Sequence, residues 1–218
     1  MIKDKNQSWG SFILETIILI AIVLFIRFYV FQFFRVSGPS MCPTLNILDN
    51  ECQSGKGEFI FVNELLYNFL KDPQRGDVVV FHPPQMDVYY IKRIIGIPGD
   101  TIQIKKGKVY LTNKEVQDYE LPETYLSEKN RGFTQSYNQD TFVVPDGYYL
   151  LFGDNRSKSF DARHCFNTTG CDGSHTPFVP KKNIQGKADF VIWPLSTMRW
   201  IHNELKEQMT GSGISITQ

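Results

Sequence analysis

The sequence predicts a mainly β, antiparallel domain carried behind a single N-terminal transmembrane helix. An almost unbroken apolar run from Phe12 to Phe34 supplies the helix. After Thr44, short β-branched and aromatic segments alternate with proline and glycine turns, the pattern of antiparallel meanders. Amphipathic helical periodicity is confined to Glu64 to Leu70 and the tail near Trp200 to Met209. The expected organisation is a short cytoplasmic segment at 1–11, the anchor at 12–34, an extracytoplasmic β-domain at 35–200 and a C-terminal tail at 201–218.

The apolar run would span roughly 34 Å as a helix, enough for a bilayer core with some tilt. Glu15 and Arg27 interrupt it near its two ends, where side chains can reach the interface. It is longer than the apolar core of a cleavable signal and closes on Tyr29, Phe31, Phe33 and Phe34, an aromatic belt, so it reads as a retained anchor. Lys3 and Lys5 before it nearly balance Arg27 and Arg35 at its far end, so charge alone does not orient it.

In the body, Val78–Phe81 is a buried-type strand stopped by Pro83-Pro84, and Val88–Ile97 a second closed by Pro98-Gly99-Asp100. Thr101–Ile104 and Val109–Thr112 flank the turn Lys105-Lys106-Gly107-Lys108, and Tyr148–Phe152 follows Pro145-Asp146-Gly147. Residues 120–140 are polar and aperiodic, which reads as a surface excursion tolerant of change. With 23 basic and 23 acidic residues and no basic stripe, the chain offers nothing to nucleic acid.

Cys165 and Cys171 enclose a five-residue loop. A disulfide there is the favoured reading, worth about 2 kcal/mol, and it would favour an exterior domain. Free thiols, or a zinc site with His164 and His175, remain alternatives, although the spacing matches no standard finger. Cys42 and Cys52 are expected to be unpaired, with Cys42 close enough to Ser40 to rival it as a nucleophile. Asn155-Arg156-Ser157 and Asn167-Thr168-Thr169 match the short glycosylation pattern and carry little weight.

Two segments suggest chemistry. Gly38-Pro39-Ser40-Met41-Cys42-Pro43-Thr44-Leu45 follows the anchor directly, and Tyr90-Ile91-Lys92-Arg93-Ile94-Ile95-Gly96 lies downstream. A serine hydroxyl needs a base, and neither the Gly-x-Ser-x-Gly elbow nor His-Glu-x-x-His is present. His82, His164, His175 and His202 sit in no recognisable triad. Strand alternation puts Lys92 on one face with Tyr90 and Ile94; burial there would bring its pKa from about 10.4 to about 8, a cost near 3 kcal/mol. On alternation alone, a lysine snorkelling from a strand edge is the favoured account.

The segments Gly38–Leu45, Arg75–Phe81, Tyr90–Asp100 and Gly153–Arg163, in that order behind an anchor, resemble the boxes of type I signal peptidases, the leader peptidase family of Ser/Lys serine proteases. Gly153-Asp154-Asn155-Arg156 with Ser159-x-Asp161-x-Arg163 is the most specific part of the match. The resemblance implies Ser40 as nucleophile and Lys92 as general base, with Ser159 orienting the lysine and Ser157 the nearby alternative. It gives the oxyanion hole to the Ser40 N–H and to a donor two residues earlier, often a serine; here that position is Gly38, a departure that leaves the local backbone or a water to serve. Val36, Met41, Leu45, Tyr90 and Ile91 should line shallow pockets for small side chains, and Asp154, Arg156, Asp161 and Arg163 should form structural ion pairs behind the dyad.

The implied protein is a single-pass enzyme of the cell membrane that works as a monomer without metal or cofactor. Its catalytic domain would lie outside, meeting membrane lipid and the signal peptides of exported preproteins and cutting after Ala-x-Ala. Two other readings remain: an inactive anchored peptide-binding β-domain, for which Gly38 would mark a lost donor, and a self-cleaving Ser/Lys protease like the SOS-response repressors. The second should carry a DNA-binding helix-turn-helix where this chain carries its anchor.

Overall fold

A computed structural model describes residues 9–49, 51–84, 86–167, 170–172 and 175–214, leaving aside the side chains of Phe28 and Lys56. Most of the short N-terminal segment and the last residues of the tail lie outside this range, as do Thr168 and Thr169 of the second glycosylation pattern. The elements, in chain order, are α1 (Trp9–Tyr29), β1 (Phe31–Ser37), β2 (Ile47–Leu48), β3 (Glu51–Cys52), β4 (Lys56–Asn63), β5 (Val78–Phe81), β6 (Tyr90–Gly96), β7 (Thr101–Lys105), β8 (Lys108–Thr112), β9 (Tyr119–Glu120), β10 (Thr141–Val143), β11 (Tyr148–Phe152), β12 (Phe178–Pro180), β13 (Ile184–Trp193), β14 (Arg199–Trp200) and α2 (Glu204–Gly211).

Helix α1 is exposed along its length, and residues 9–27 form one stretch apolar and long enough to cross a bilayer. It ends earlier than the sequence suggested. Residues 31–37 form β1 and pair antiparallel with β4, Phe33 opposite Phe61 and Phe34 opposite Ile60. Phenylalanine suits a lipid-facing helix and a sheet alike, and a strand partner decides between them here. The 19 residues of the remaining span still cover roughly 28 Å.

Among the described residues, eight strands form the main sheet in the order β1-β4-β13-β5-β6-β11-β12, with β14 beside β13. The sheet curls. Three strands separate β1 from β6, yet the rings of Phe34 and Tyr89, at the mouth of β6, are 4.9 Å apart. Strand β5 is buried on both faces: Val78 and Val80 join Val36, Met41, Leu45, Ile60 and Val62 in an inner cluster, while Val79 and Phe81 join the larger outer core. Such two-sided burial is why Val-Val-Val-Phe shows no alternation. A second sheet, β10-β7-β8-β9, follows Pro98-Gly99-Asp100; within it β7 and β8 flank the Lys105–Lys108 turn, as the turn chemistry predicted.

Four expectations change in detail. The segment at Glu64 to Leu70 is a single π-helical turn, Leu66–Leu70, and the second strand starts at Tyr90, not Val88. The tail holds α2, whose Leu205 and Met209 are fully buried in the outer core, so it belongs to the domain. Residues 120–140 are only in part a surface excursion: Leu121, Tyr125, Leu126, Asn130 and Thr134 are all buried, and several reach the turn that follows β11, whereas Phe133 and residues 137–140 are exposed. The sequence hides this because buried polar groups satisfied by neighbours leave no hydrophobic period.

Candidate active site

Ser40 lies in the turn between β1 and β2, and Lys92 lies in β6. The curl of the sheet brings Lys92 Nζ to 2.8 Å from Ser40 Oγ. Nζ also donates to the Ile91 carbonyl at 2.8 Å and lies 5.3 Å from the centre of the Tyr90 ring, on the face the alternation predicted. Lys92 is 4% exposed. Burial pushes its pKa down to about 8, against the upward pull of the Asp161 and Asp154 carboxylates and with a small further push from Arg163. A lysine so placed is neutral for part of the time near physiological pH and can take a proton from the hydroxyl beside it. The snorkelling alternative does not describe this side chain.

The pair opens onto a groove of about 350 Å³. One wall is the end of β1 from Phe34 to Ser37, with Gly38 after it; the other is Tyr89, Tyr90 and Ile91, with Ile60 and Val80 as floor and Lys158 and Phe160 at the margin. Val36, Tyr90 and Ile91 therefore line it, as expected, whereas Met41 and Leu45 do not. Both are 0% exposed and pack in the inner cluster behind Ser40, because the turn folds its two large apolar side chains inward. No histidine lines the groove: His82 stacks on Tyr89 and His164 on Tyr137.

The Gly153–Arg163 segment packs against Ser40 from behind. Asn155 N–H donates to the Ser40 carbonyl at 2.9 Å, and a Cβ on Gly153 would run into that carbonyl and into Ser159, so only glycine permits the approach. The Ser40 N–H itself makes no hydrogen bond among the described residues. Ser159 is buried and its hydroxyl makes no hydrogen bond of good geometry, whereas Ser157 Oγ is engaged with Asn155 Oδ1 at 3.1 Å. Ser159 lies beside Asp161, whose pKa burial alone would raise; the Arg163 guanidinium, the Gly153 N–H and the Ser159 hydroxyl hold it below the usual value.

Each of the four charged residues expected behind the pair is buried and paired. Asp161 takes a two-point bond from Arg163, both at 2.9 Å, and accepts from Gly153 N–H at 2.9 Å. Asp154 takes Arg93 Nε at 2.9 Å and Nη2 at 2.7 Å, and also accepts from Thr44 in the Ser40 turn. Arg156 grips Glu123 and donates to Thr134 at 2.6 Å. Sequence reasoning missed Arg93 and Glu123. Arg93 was discoverable as a second cation next to Lys92 in an apolar strand; Glu123 sits in the segment dismissed as a surface excursion.

Both cysteine pairs are bonded, Cys165 to Cys171 and Cys42 to Cys52, with Cα separations of 5.1 and 5.9 Å. The first agrees with the favoured expectation and takes both sulfurs away from any metal. The second overturns the expectation of unpaired thiols and removes Cys42 as a rival nucleophile. Its cause is the β2–β3 hairpin, in which Cys52 stands opposite Ile47 and so returns to the Ser40 turn. A two-residue hairpin strand is too short to read from periodicity.

Comparison with known proteins assigns the chain to a family. The family model for signal peptidase, peptidase S26, matches residues 9–193. Signal peptidase I S of Bacillus subtilis (strain 168) is 35% identical, covering 90% of this chain and 98% of its own length. Signal peptidase I of Bacillus licheniformis is 31% identical, covering 90% and 95%. A crystal structure of a signal peptidase I from Enterococcus faecalis V583 shares 28% identity and covers 54% of this chain and 97% of its own, at a TM-score of 0.39. With a family match spanning most of its length, this chain belongs to the signal peptidase family, peptidase S26.

Proposed function

We propose that this serine endopeptidase is held in the membrane by α1 and removes signal peptides from exported proteins through a covalent acyl-enzyme on Ser40. The observation that carries the reading is the 2.8 Å contact between Ser40 Oγ and a buried Lys92 whose pKa lies at about 8, at the edge of a strand-walled groove. Ser40 Oγ attacks the scissile carbonyl carbon while its proton passes to Lys92 Nζ. As the C–N bond breaks, Lys92 returns that proton to the leaving amine. Lys92 then takes a proton from water as it attacks the ester carbonyl, and passes that proton to Ser40 Oγ as the ester C–O bond breaks and the acid departs. The unengaged Ser40 N–H is available to the developing oxyanion. Gly38, at φ +83°, brings no hydroxyl, so the second donor comes from backbone or solvent. Ser159, buried beside Asp161 with its hydroxyl making no hydrogen bond to Lys92 in this structure, is assigned the role of orienting the lysine; Ser157 is engaged with Asn155.

The groove supports a preference for small residues. Its floor, Ile60 and Val80, and its walls at Val36 and Ile91 leave an extended chain room for alternate short side chains, the basis of Ala-x-Ala selection. Two disulfides fit a domain on the oxidising, exterior face of the membrane. Catalysis as proposed uses protein groups throughout. Cleavage of an Ala-x-Ala signal-peptide substrate in detergent by the parent, Ser40→Ala and Lys92→Ala tests the reading: both folded variants should be inactive. Turnover by folded Ser40→Ala would dispose of it.

A further inference from the structure

The turn that carries Ser40 is held by a residue outside every motif noted in the sequence. Asn46 is fully buried and sits at φ +67°, a left-handed conformation asparagine tolerates. Its Nδ2 donates to the Gly38 carbonyl at 3.0 Å and to the Gln53 carbonyl at 2.7 Å. Two carbonyl partners fix which end of the amide is nitrogen, since an oxygen there would face both. Its own N–H donates to Glu58 Oε2 at 2.7 Å, and Glu58 is gripped by Arg199 at 2.6 and 3.0 Å. Gly57 is a glycine because a Cβ there would collide with the Asn46 side chain and the Val36 carbonyl.

We infer that Asn46 is a positioning residue for the oxyanion donor, acting through the Gly38 carbonyl. Holding that carbonyl fixes the plane of the Gly38–Pro39 peptide. The pyrrolidine ring fixes φ of Pro39, so a single rotatable bond, ψ of Pro39, separates the held plane from the one bearing the Ser40 N–H. On the other side Asn155 holds the Ser40 carbonyl at 2.9 Å. The donor is thus set from both flanks before substrate arrives, and where the preceding position offers no serine hydroxyl, the aim of this N–H matters more. Loss of an oxyanion donor costs about 100- to 1,000-fold in turnover, and misaiming one should cost about 10- to 100-fold.

This inference rests on Ser40 being the nucleophile, and the experiment separates the two. Asn46→Gly keeps the left-handed backbone and deletes the amide. Assayed as the full chain in detergent on a signal-peptide substrate, it should lose at least about 10-fold in kcat. Its KM should stay within about twofold, and the rise of kcat/KM with pH should keep the parent midpoint, because Lys92 is untouched. An unchanged kcat, a change confined to KM, or a midpoint that moves with the rate overturns the inference. If Asn46→Gly is not folded at the assay temperature, Asn46→Asp, equal in size and unable to donate when ionised, is judged by the same criteria. Ser40→Ala runs alongside: activity there overturns the nucleophile assignment and this inference together, while a dead Ser40→Ala with a normal Asn46→Gly overturns this inference alone.

Discussion

Lys92 and Ser40 meet at 2.8 Å, but the chain brings them there by different means. Lys92 stands in the regular ladder of β6, opposite Val79 of β5, in a strand bonded to β11 on its other edge. Ser40 belongs to no regular element. Its turn is tied by the Cys42–Cys52 bond, by Asn46 on the Gly38 carbonyl, by Thr44 on Asp154 and by Asn155 on the Ser40 carbonyl. A ladder fixes every residue it contains at once, whereas a turn must be fixed atom by atom. Substitutions around Lys92 should therefore act through the lysine's own chemistry, and those around Ser40 through geometry.

The largest effect expected is at Lys92 itself. Lys92→Met keeps the apolar stem and removes the base, and turnover should fall by about 10,000-fold on a signal-peptide substrate. Parent activity should rise with pH through about 8 and then level, because only the neutral amine accepts the serine proton. Stability should move the opposite way to activity in the variant. Below pH 8 the parent keeps a buried ammonium; its folded pKa of about 8 against an ordinary 10.5 costs it about 3 kcal/mol. Between pH 8 and 10.5 the unfolded chain still holds the proton that the folded one has lost, so this penalty disappears as pH rises. Lys92→Met should thus exceed the parent by about 3 kcal/mol at pH 7 and approach it by pH 10.5, measured by urea unfolding. A gain that does not change with pH would mean the lysine is not held in the low-dielectric setting described.

The next effect tests the packing behind the pair. Arg156 is buried, and Glu123, 7% exposed, is the carboxylate that meets it. Breaking a buried pair by removing one charge costs about 3–5 kcal/mol, because the other is left uncompensated. Glu123→Gln should be destabilised by about that much in urea, and kcat should fall with it as the Gly153–Arg163 segment loosens. A loss under about 1 kcal/mol would return residues 120–140 to the dispensable surface role their composition suggests.

What the sequence disclosed follows the same division. β5, β6, β7, β8 and β11 were legible from β-branched runs and turn residues, and Ser40, Lys92 and the Gly153–Arg163 segment from their resemblance to a family. Alternation put Lys92 beside Tyr90, where the structure has it. The end of α1 was not legible, because Phe31 to Phe34 satisfy a helix in lipid as well as a strand beside β4. Nor were Asn46, Cys52 or Glu123. Each acts through a partner distant in fold or hidden in a loop, and a hydrogen bond between a side chain and a remote carbonyl leaves no period in the sequence.

The smallest effects come from the two disulfides, and their difference is the sharpest form of the comparison. On loop length alone they are close: separations of 10 and 6 residues give about 2–3 kcal/mol each in the chain-entropy model. Cys42→Ser/Cys52→Ser and Cys165→Ser/Cys171→Ser should therefore lose similar stability in urea. Their kinetics should part. Cys42 is two residues from Ser40, and freeing it loosens the turn that aims the hydroxyl, so kcat should fall about 10-fold with KM nearly constant. Cys165 follows the Asp161–Arg163 pair, which keeps its own bonds at 2.9 Å after the disulfide is gone, so kcat should stay within about twofold. Equal kinetic losses in the two double variants would mean that the turn and the ladder are not separately held, and that the site responds to global stability instead of to the local ties on Ser40.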